Sequence, residues 1–200
     1  ENNSKSYAGA VRADEALARS INVPFVRLLR SYGVERFASS LKRLGFSTLT
    51  RAPADYGLTL ILGGAEVTLL DAASAYAVLA RTAKGEDGRA VDGVAAAPAP
   101  FSAGAAWLTL QALVEVARPG DEASWQEYAS SRRIAWKTGT SFGSRDAWAI
   151  GVTPSWVVAV WVGNADGSGR PEIKGTDAAA PLLFDLFQNL PQSRWFEEPV

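Results

Sequence analysis

The sequence contains no cysteine, no histidine and no methionine. Without cysteine there is no disulfide and no thiolate nucleophile; without histidine there is no His-based triad and no His/Cys zinc site. Any general base must therefore be Lys, Asp, Glu or Tyr. Nothing in the composition calls for a metal or a cofactor. The chain also lacks any block of like charges. Its 20 Lys and Arg against 21 Asp and Glu leave a formal net charge of -1, which argues against nucleic acid as a partner. No uninterrupted run of about 20 apolar residues occurs, so the chain carries no membrane span of its own. Glu1 is neither a starter methionine nor the start of a signal peptide, so the chain reads as a fragment or processed product of a longer protein.

What is present suits an ordinary globular domain, with 200 residues, 48 % of them apolar and 20 % charged. Residues 1–12 are polar and read as loop. Asp14-Glu15 then opens a short helix, the acids favoured by its positive N-terminal end. Ser20-Ile21-Asn22-Val23 precedes Pro24, and a residue before proline is pushed out of the helical region. Val23 is thus expected to be extended or turn-like, and Ser20 and Asn22, two apart in an extended connector, to face one cleft.

Pro24 suits the first turn of a helix that stops at Gly33. An amphipathic helix over Val34–Leu44 follows, with Phe37, Leu41 and Leu44 on one face and Gly45 as its end signal. Residues 46–66, with four Gly or Pro around an apolar Leu58–Leu62, read as an irregular connector. Thr68 and Asp71 resemble a capping box, with Asp in place of Glu, opening a long helix closed by Gly85. Residues 84–104 and 118–132 read as polar excursions around a helix from Ala105 to Ala117, which Ser102 caps.

The strand signal is confined to the last third. Runs near 133–140, 146–152 and 156–163 are β-rich, the last two joined by Thr153-Pro154-Ser155 as an antiparallel hairpin. Both runs are apolar on both faces, which predicts helices covering the sheet on both sides. A final helix around Ala178–Leu190, with Leu182, Leu183, Leu186 and Phe187, supplies one covering layer. The expected fold class is α+β: an antiparallel sheet flanked by helices beside a helical part. The seven tryptophans read as core and sheet cover rather than a sugar-stacking platform.

At the head of the sheet stands Trp136-Lys137-Thr138-Gly139-Thr140-Ser141. A cation, two hydroxyls and a glycine there can cradle a carboxylate through charge-assisted hydrogen bonds. Alternation puts Lys137 and Gly139 on one face and Thr138 and Thr140 on the other. On an edge strand, the backbone could pair with an extended substrate, and Gly139 would let it approach. The blander alternatives are a strand-ending turn with an exposed lysine and, for Ser20 and Asn22, a simple helix stop. Ser39-Ser40-Leu41-Lys42 formally reads S-x-x-K, but its helix packs through Phe37, Leu41 and Leu44. Ser39 and Lys42 are expected in water, as a decoy.

These motifs carry a resemblance. Ala16-Leu17-Ala18-Arg19-Ser20-Ile21-Asn22-Val23-Pro24 resembles the S-x-N segment of class A penicillin-binding proteins. Leu62-Gly63-Gly64-Ala65-Glu66-Val67-Thr68-Leu69-Leu70 with Ala75-Tyr76 is similar to another stretch of the family. Lys137-Thr138-Gly139 matches its K-T-G element, and the segment through Arg145-Asp146-Ala147-Trp148 looks most like the 1C branch. The resemblance implies D,D-transpeptidation, cross-linking peptidoglycan stem peptides through an acyl-serine that β-lactams also form. It implies Ser20 in proton transfer to the leaving amine and Asn22 on the substrate amide. Lys137 would support the site and the Ser20 hydroxyl, while Thr138 and Thr140 hold the carboxylate beside Gly139. The Thr140 backbone N–H would be one oxyanion donor.

In this family S-x-x-K precedes S-x-N by tens of residues, whereas only 19 residues precede Ser20 here and none begins an S-x-x-K. Residues 1–190 are therefore expected to be a partial transpeptidase domain: 1–132 mainly helical, 133–190 sheet and final helix, and 191–200 a tail leading to a further domain or terminus. By resemblance the parent is membrane-anchored on the periplasmic face of the inner membrane, carries a glycosyltransferase domain, and supplies the missing N-terminal part. The chain alone is expected to be inactive. The alternatives are a β-lactamase or D,D-carboxypeptidase relative using water as acceptor, and a non-catalytic peptidoglycan-binding module.

Overall fold

The computed structural model describes residues 9–86, 98–119, 132–171 and 173–199. Six short helices come first: α1 (Ala13–Ala18), α2 (Asn22–Tyr32), α3 (Val34–Arg43), α4 (Pro53–Tyr56), α5 (Leu69–Ala83) and α6 (Ala103–Val114). Strands β1 (Ala135–Thr140), β2 (Asp146–Val152) and β3 (Val157–Gly163) form an antiparallel sheet in the order β1-β2-β3. A π-helical turn over Gly175–Ala179 leads into α7 (Ala180–Gln188).

The sheet is clamped between helices. Trp136 pairs with Gly151 across β1 and β2, and that face meets α7. There the Trp136 ring, fully buried, stands edge-on to Phe184 at 4.9 Å, and its Nε1–H donates to the Val116 carbonyl at 3.1 Å. Gly151 is required on this face: a Cβ there would lie 2.7 Å from Phe187 and 3.2 Å from Leu183 and Ile134. On the other face α5 crosses β2 and β3, and its Ala80 and Ala83 allow close packing against Ala106, Leu110 and Leu113 of α6. A second, smaller core around Leu29, Ala38, Leu49, Tyr56 and Leu60 holds α2, α3 and α4 together.

Several expectations are corrected. Val23 is helical, because α2 starts at Asn22 and Pro24 falls in its first turn, where the missing N–H was unpaired in any case. The extended connector shrinks to Ile21, and Ser20 before it is left-handed. Residues 53–62 are not irregular: α4 passes directly into a 3₁₀ segment, Gly57–Leu62, that places Leu60 in the small core. Helix α6 starts and ends earlier than predicted, with Ser102 accepting from the Ala105 N–H as cap. The inward stripe of α7 is Ala180, Leu183, Phe184 and Phe187, spaced i, i+3, i+4, i+7; Leu182 and Leu186 are 49 % and 50 % exposed. β3 is an edge strand and only partly covered. The loops expected within 87–97 and 120–131 lie outside the described residues.

The predicted capping box is half present. Thr68 Oγ1 accepts from the Asp71 N–H at 3.0 Å, but the Asp71 carboxylate turns away to Ser47, accepting from its N–H at 2.9 Å and its hydroxyl at 2.7 Å. Burial pushes this carboxyl up, and the Ser47 and Thr68 hydrogen bonds more than offset that, leaving it below its ordinary value. The group thus ties the 45–49 turn to the start of α5.

Two stability measurements follow from this packing. Gly151→Ala should destabilise by about 1–3 kcal/mol in thermal unfolding, through overpacking against Phe187. Asp71→Asn should cost about 1–3 kcal/mol at neutral pH. Because the folded-state value is depressed, this contribution is present above the ordinary aspartate pKa and lost as pH falls through the lowered one. The gap between wild type and Asn variant in urea unfolding should therefore narrow between about pH 7 and about pH 3.

Candidate active site

Helix α1 ends in a way that places a hydroxyl. The Ile21 N–H donates to the Ala16 carbonyl at 2.9 Å and the Ser20 N–H to the Leu17 carbonyl at 3.2 Å. This 6→1 and 5→2 pair is the helix-closing motif in which glycine usually takes the left-handed position. Here that position is Ser20, with φ 55°. A non-glycine residue there costs about 1 kcal/mol or more. The serine is at once a helix stop and a side chain aimed across the molecule.

What it reaches is Lys137. The Lys137 Nζ donates to Ser20 Oγ, joining residues 117 apart in the chain, and donates again to the Thr138 carbonyl at 3.1 Å. Burial holds the Lys137 ammonium below the ordinary lysine value. A lysine N–H pointing at Ser20 Oγ also directs the serine's own hydrogen elsewhere, so the hydroxyl is left as a donor to a third group.

Strand β1 is open along one side. It is the end strand of the sheet, and Ser141, just past it, donates its N–H to the Asp146 carbonyl at 3.0 Å. Because an antiparallel ladder alternates inward and outward pairs, the N–H groups of Thr138 and Thr140 then point away from β2 to the unpaired edge. Thr140 Oγ1 already accepts from the Gly175 N–H at 3.0 Å, which leaves its O–H to donate. Gly139 is exposed, and the Cβ it lacks would only touch the Trp148 side chain, at 3.5 Å. The glycine therefore keeps the strand's face clear beside an aromatic neighbour.

A groove of about 650 Å³ runs from this strand to α3 and α5, lined by Lys137 through Ser141 on one side and by Phe37, Leu41 and Tyr76 on the other. Burial pushes the Tyr76 hydroxyl up to about 12, so it stays neutral. A larger concavity of about 1050 Å³ lies between α1, α2 and α6. Its wall contains none of the β1 residues, so the groove is the better site on chemical grounds.

The structure brings Ser20, Lys137, Thr138, Gly139 and Thr140 to one region. Neither Ser20 nor Asn22 is among the groove-lining residues: Ser20 joins the site through its hydrogen bond from Lys137, and Asn22 heads α2 two residues on. Ser39 and Lys42 are both exposed and line no part of the groove. Sequence reasoning missed Trp148, Trp161 and Asp146. Trp148 and Trp161 face each other across β2 and β3, and Trp161 Nε1–H donates to Asp146 Oδ1 at 2.9 Å. Their equal spacing from the Pro154-Ser155 turn was the available signal. The closure of the β1–β2 hairpin was not readable at all: Ser141 Oγ accepts from the Asp146 N–H at 2.8 Å, and the Arg170 N–H donates to the Ser144 carbonyl at 3.0 Å. Among the described residues no group of three or more Asp and Glu could hold a metal ion.

The chain is similar to known proteins over most of its length. The family described as penicillin binding protein transpeptidase domain matches residues 1–188. Penicillin-binding protein 1C of Escherichia coli (strain K12) is 39 % identical over 178 residues, 88 % of this chain and 23 % of that protein. Penicillin-binding protein 1B of Haemophilus influenzae is 27 % identical over 198 residues, 92 % of this chain and 25 % of that protein. The chain thus spans about a quarter of the length of these relatives. Among solved structures, penicillin-binding protein 1A from Haemophilus influenzae superposes with a TM-score of 0.73 at 21 % identity, covering 100 % of this chain and 38 % of that one. Penicillin-binding protein A from M. tuberculosis, in an imipenem acyl-enzyme complex, gives 0.67 at 22 % identity, over 94 % of this chain and 50 % of that one. The α+β architecture and the resemblance to the 1C branch are both borne out, and the chain belongs to the penicillin-binding protein transpeptidase domain family.

Proposed function

We propose that this chain supplies two of the three active-site motifs of a peptidoglycan D,D-transpeptidase, with the acylated serine contributed by residues outside 1–200. The observation that carries it is the Lys137–Ser20 hydrogen bond at the open edge of β1. A stem peptide ending in a carboxylate lies antiparallel or parallel along that edge, its terminal group held by Lys137 and the free O–H donors of Thr138 and Thr140. The outward Thr140 N–H is one oxyanion donor; Asn22 takes the substrate amide.

Ser20 passes its proton to the departing amine and takes one in turn from Lys137, whose N–H already points at its oxygen. With Lys137 donating to its oxygen, the Ser20 hydrogen is free for that transfer, and the lysine charge favours the step electrostatically. With no histidine in the sequence, the hydrogen-bonded Ser20/Lys137 pair takes the proton-handling role at this site. The segment bearing the nucleophile seats in the groove, whose far wall of Phe37, Leu41 and Tyr76 offers it apolar cover. Residues 1–190 form the contributed part of that domain, and the parent is membrane-anchored outside the cytoplasm.

The test is acylation by fluorescent penicillin. The parent protein should form a covalent adduct at a serine upstream of Glu1, and residues 1–200 alone should form none; an adduct mapped to Ser39 would sink the proposal. In the parent, Lys137→Ala should slow acylation by about 10²–10³-fold, the loss of one electrostatic or proton-handling group. Ser20→Gly should separate cap from chemistry. It removes the left-handed strain, so stability should hold or rise by up to about 1 kcal/mol, while acylation falls with the lost hydroxyl.

A further inference from the structure

We propose that the outer face of α2 and α3 is a second contact for the polymeric substrate, binding carboxylates of stem peptides that flank the one in the groove; this rests on the transpeptidase reading above. Residues 22–43 carry Arg27, Arg30, Arg36, Lys42 and Arg43 against a single acid, Glu35, in a chain whose overall formal charge is -1. All six are exposed. The ion pairs among the described residues lie elsewhere, on Arg12, Arg19, Arg51, Arg81 and Lys84. The positive charge on this face is therefore not neutralised by the described part of the molecule.

The face is also ordered. The Arg36 guanidinium stacks 4.7 Å over the Tyr32 ring, and the Tyr32 hydroxyl sits 3.5 Å from Ser40 Oγ, which pins α3 against α2. Arg43 donates to the Pro98 carbonyl at 2.9 Å. Leu28, 58 % exposed, stands one turn from Tyr32 and gives the patch an apolar centre. Four of the five cations are arginines, whose planar forks suit carboxylates better than lysine does.

Position makes the substrate polymer the fitting occupant. Phe37 and Leu41 line the groove from the inner side of α3, and Arg36, Lys42 and Arg43 stand on its outer side. A strand whose one stem peptide enters the groove must pass over or beside this helix, bringing further unreacted carboxylate ends to its back. An anionic bilayer fits less well. It would need a continuous apolar face to insert, and the apolar residues of α3 are turned into the small core.

The experiment uses the parent protein with its groove first blocked by penicillin, so that only binding outside the groove is read. Soluble uncross-linked peptidoglycan strands with free stem-peptide carboxylates are titrated by fluorescence anisotropy. Arg27→Glu with Arg30→Glu, and separately Arg36→Gln with Lys42→Gln, should each weaken binding about tenfold at low salt, less as salt screens the charges. Strands with amidated carboxylates should bind the wild type no better than the variants bind free strands. Penicillin acylation of the variants should be unchanged, which also reports that they fold. Equal binding of acidic strands by wild type and variants would overturn the proposal, as would binding of anionic phospholipid vesicles in place of strands. A parent that takes no penicillin would instead sink the transpeptidase reading, with strand binding by the ridge still measured on its own.

Discussion

One hydrogen bond joins the two halves of the candidate site: Lys137 Nζ to Ser20 Oγ, between the third residue of β1 and the turn that closes α1. Neither partner is placed by its own element alone. Lys137 is held because Trp136 before it is buried against Phe184 on the opposite face, which turns the next side chain toward the groove. Ser20 is held because α1 closes in a left-handed turn and α2 begins at once. Both α1 and β1 pack on the larger core, through Leu17 and Ala18 on one and Ala135 and Trp136 on the other.

The serine's backbone shows how a local cost is offset by tertiary contacts. Glycine would end α1 with less strain, but glycine has no hydroxyl to meet the lysine. The hydrogen bonds from Ser20 and Ile21 to the last turn of α1 hold the conformation fast. The Lys137–Ser20 pair is thus ordered by the fold itself.

The sheet's architecture makes the same point from the other side. A three-stranded sheet has two free edges, and here they are unlike. The β1 edge carries outward N–H groups beside a glycine and a cation. The hairpin that ends it is tied down by Ser141, Asp146 and the 164–170 segment, and it leaves Phe142 97 % exposed at its tip. The groove is thus bounded by β1, α3 and α5, and its apolar wall draws on both cores, Phe37 and Leu41 standing on the smaller and Tyr76 on the larger.

Much of this was legible in the residues alone. The three strands, their antiparallel order, the glycine stops at Gly33 and Gly45, and the Thr68 and Ser102 caps follow from local periodicity and turn chemistry. The alternation that puts Lys137 and Thr138 on opposite faces follows in the same way. What residue order could not decide was anything set by partners distant in the chain. Asp71 left its capping box for Ser47, and Thr140 met Gly175. The residues by themselves determined which chemistry was available: a lysine and two hydroxyl types, with no thiol and no imidazole. Only the tertiary structure decided that Ser20 rather than Ser39 meets a lysine, because a helix end can be aimed at a strand only after both have been packed.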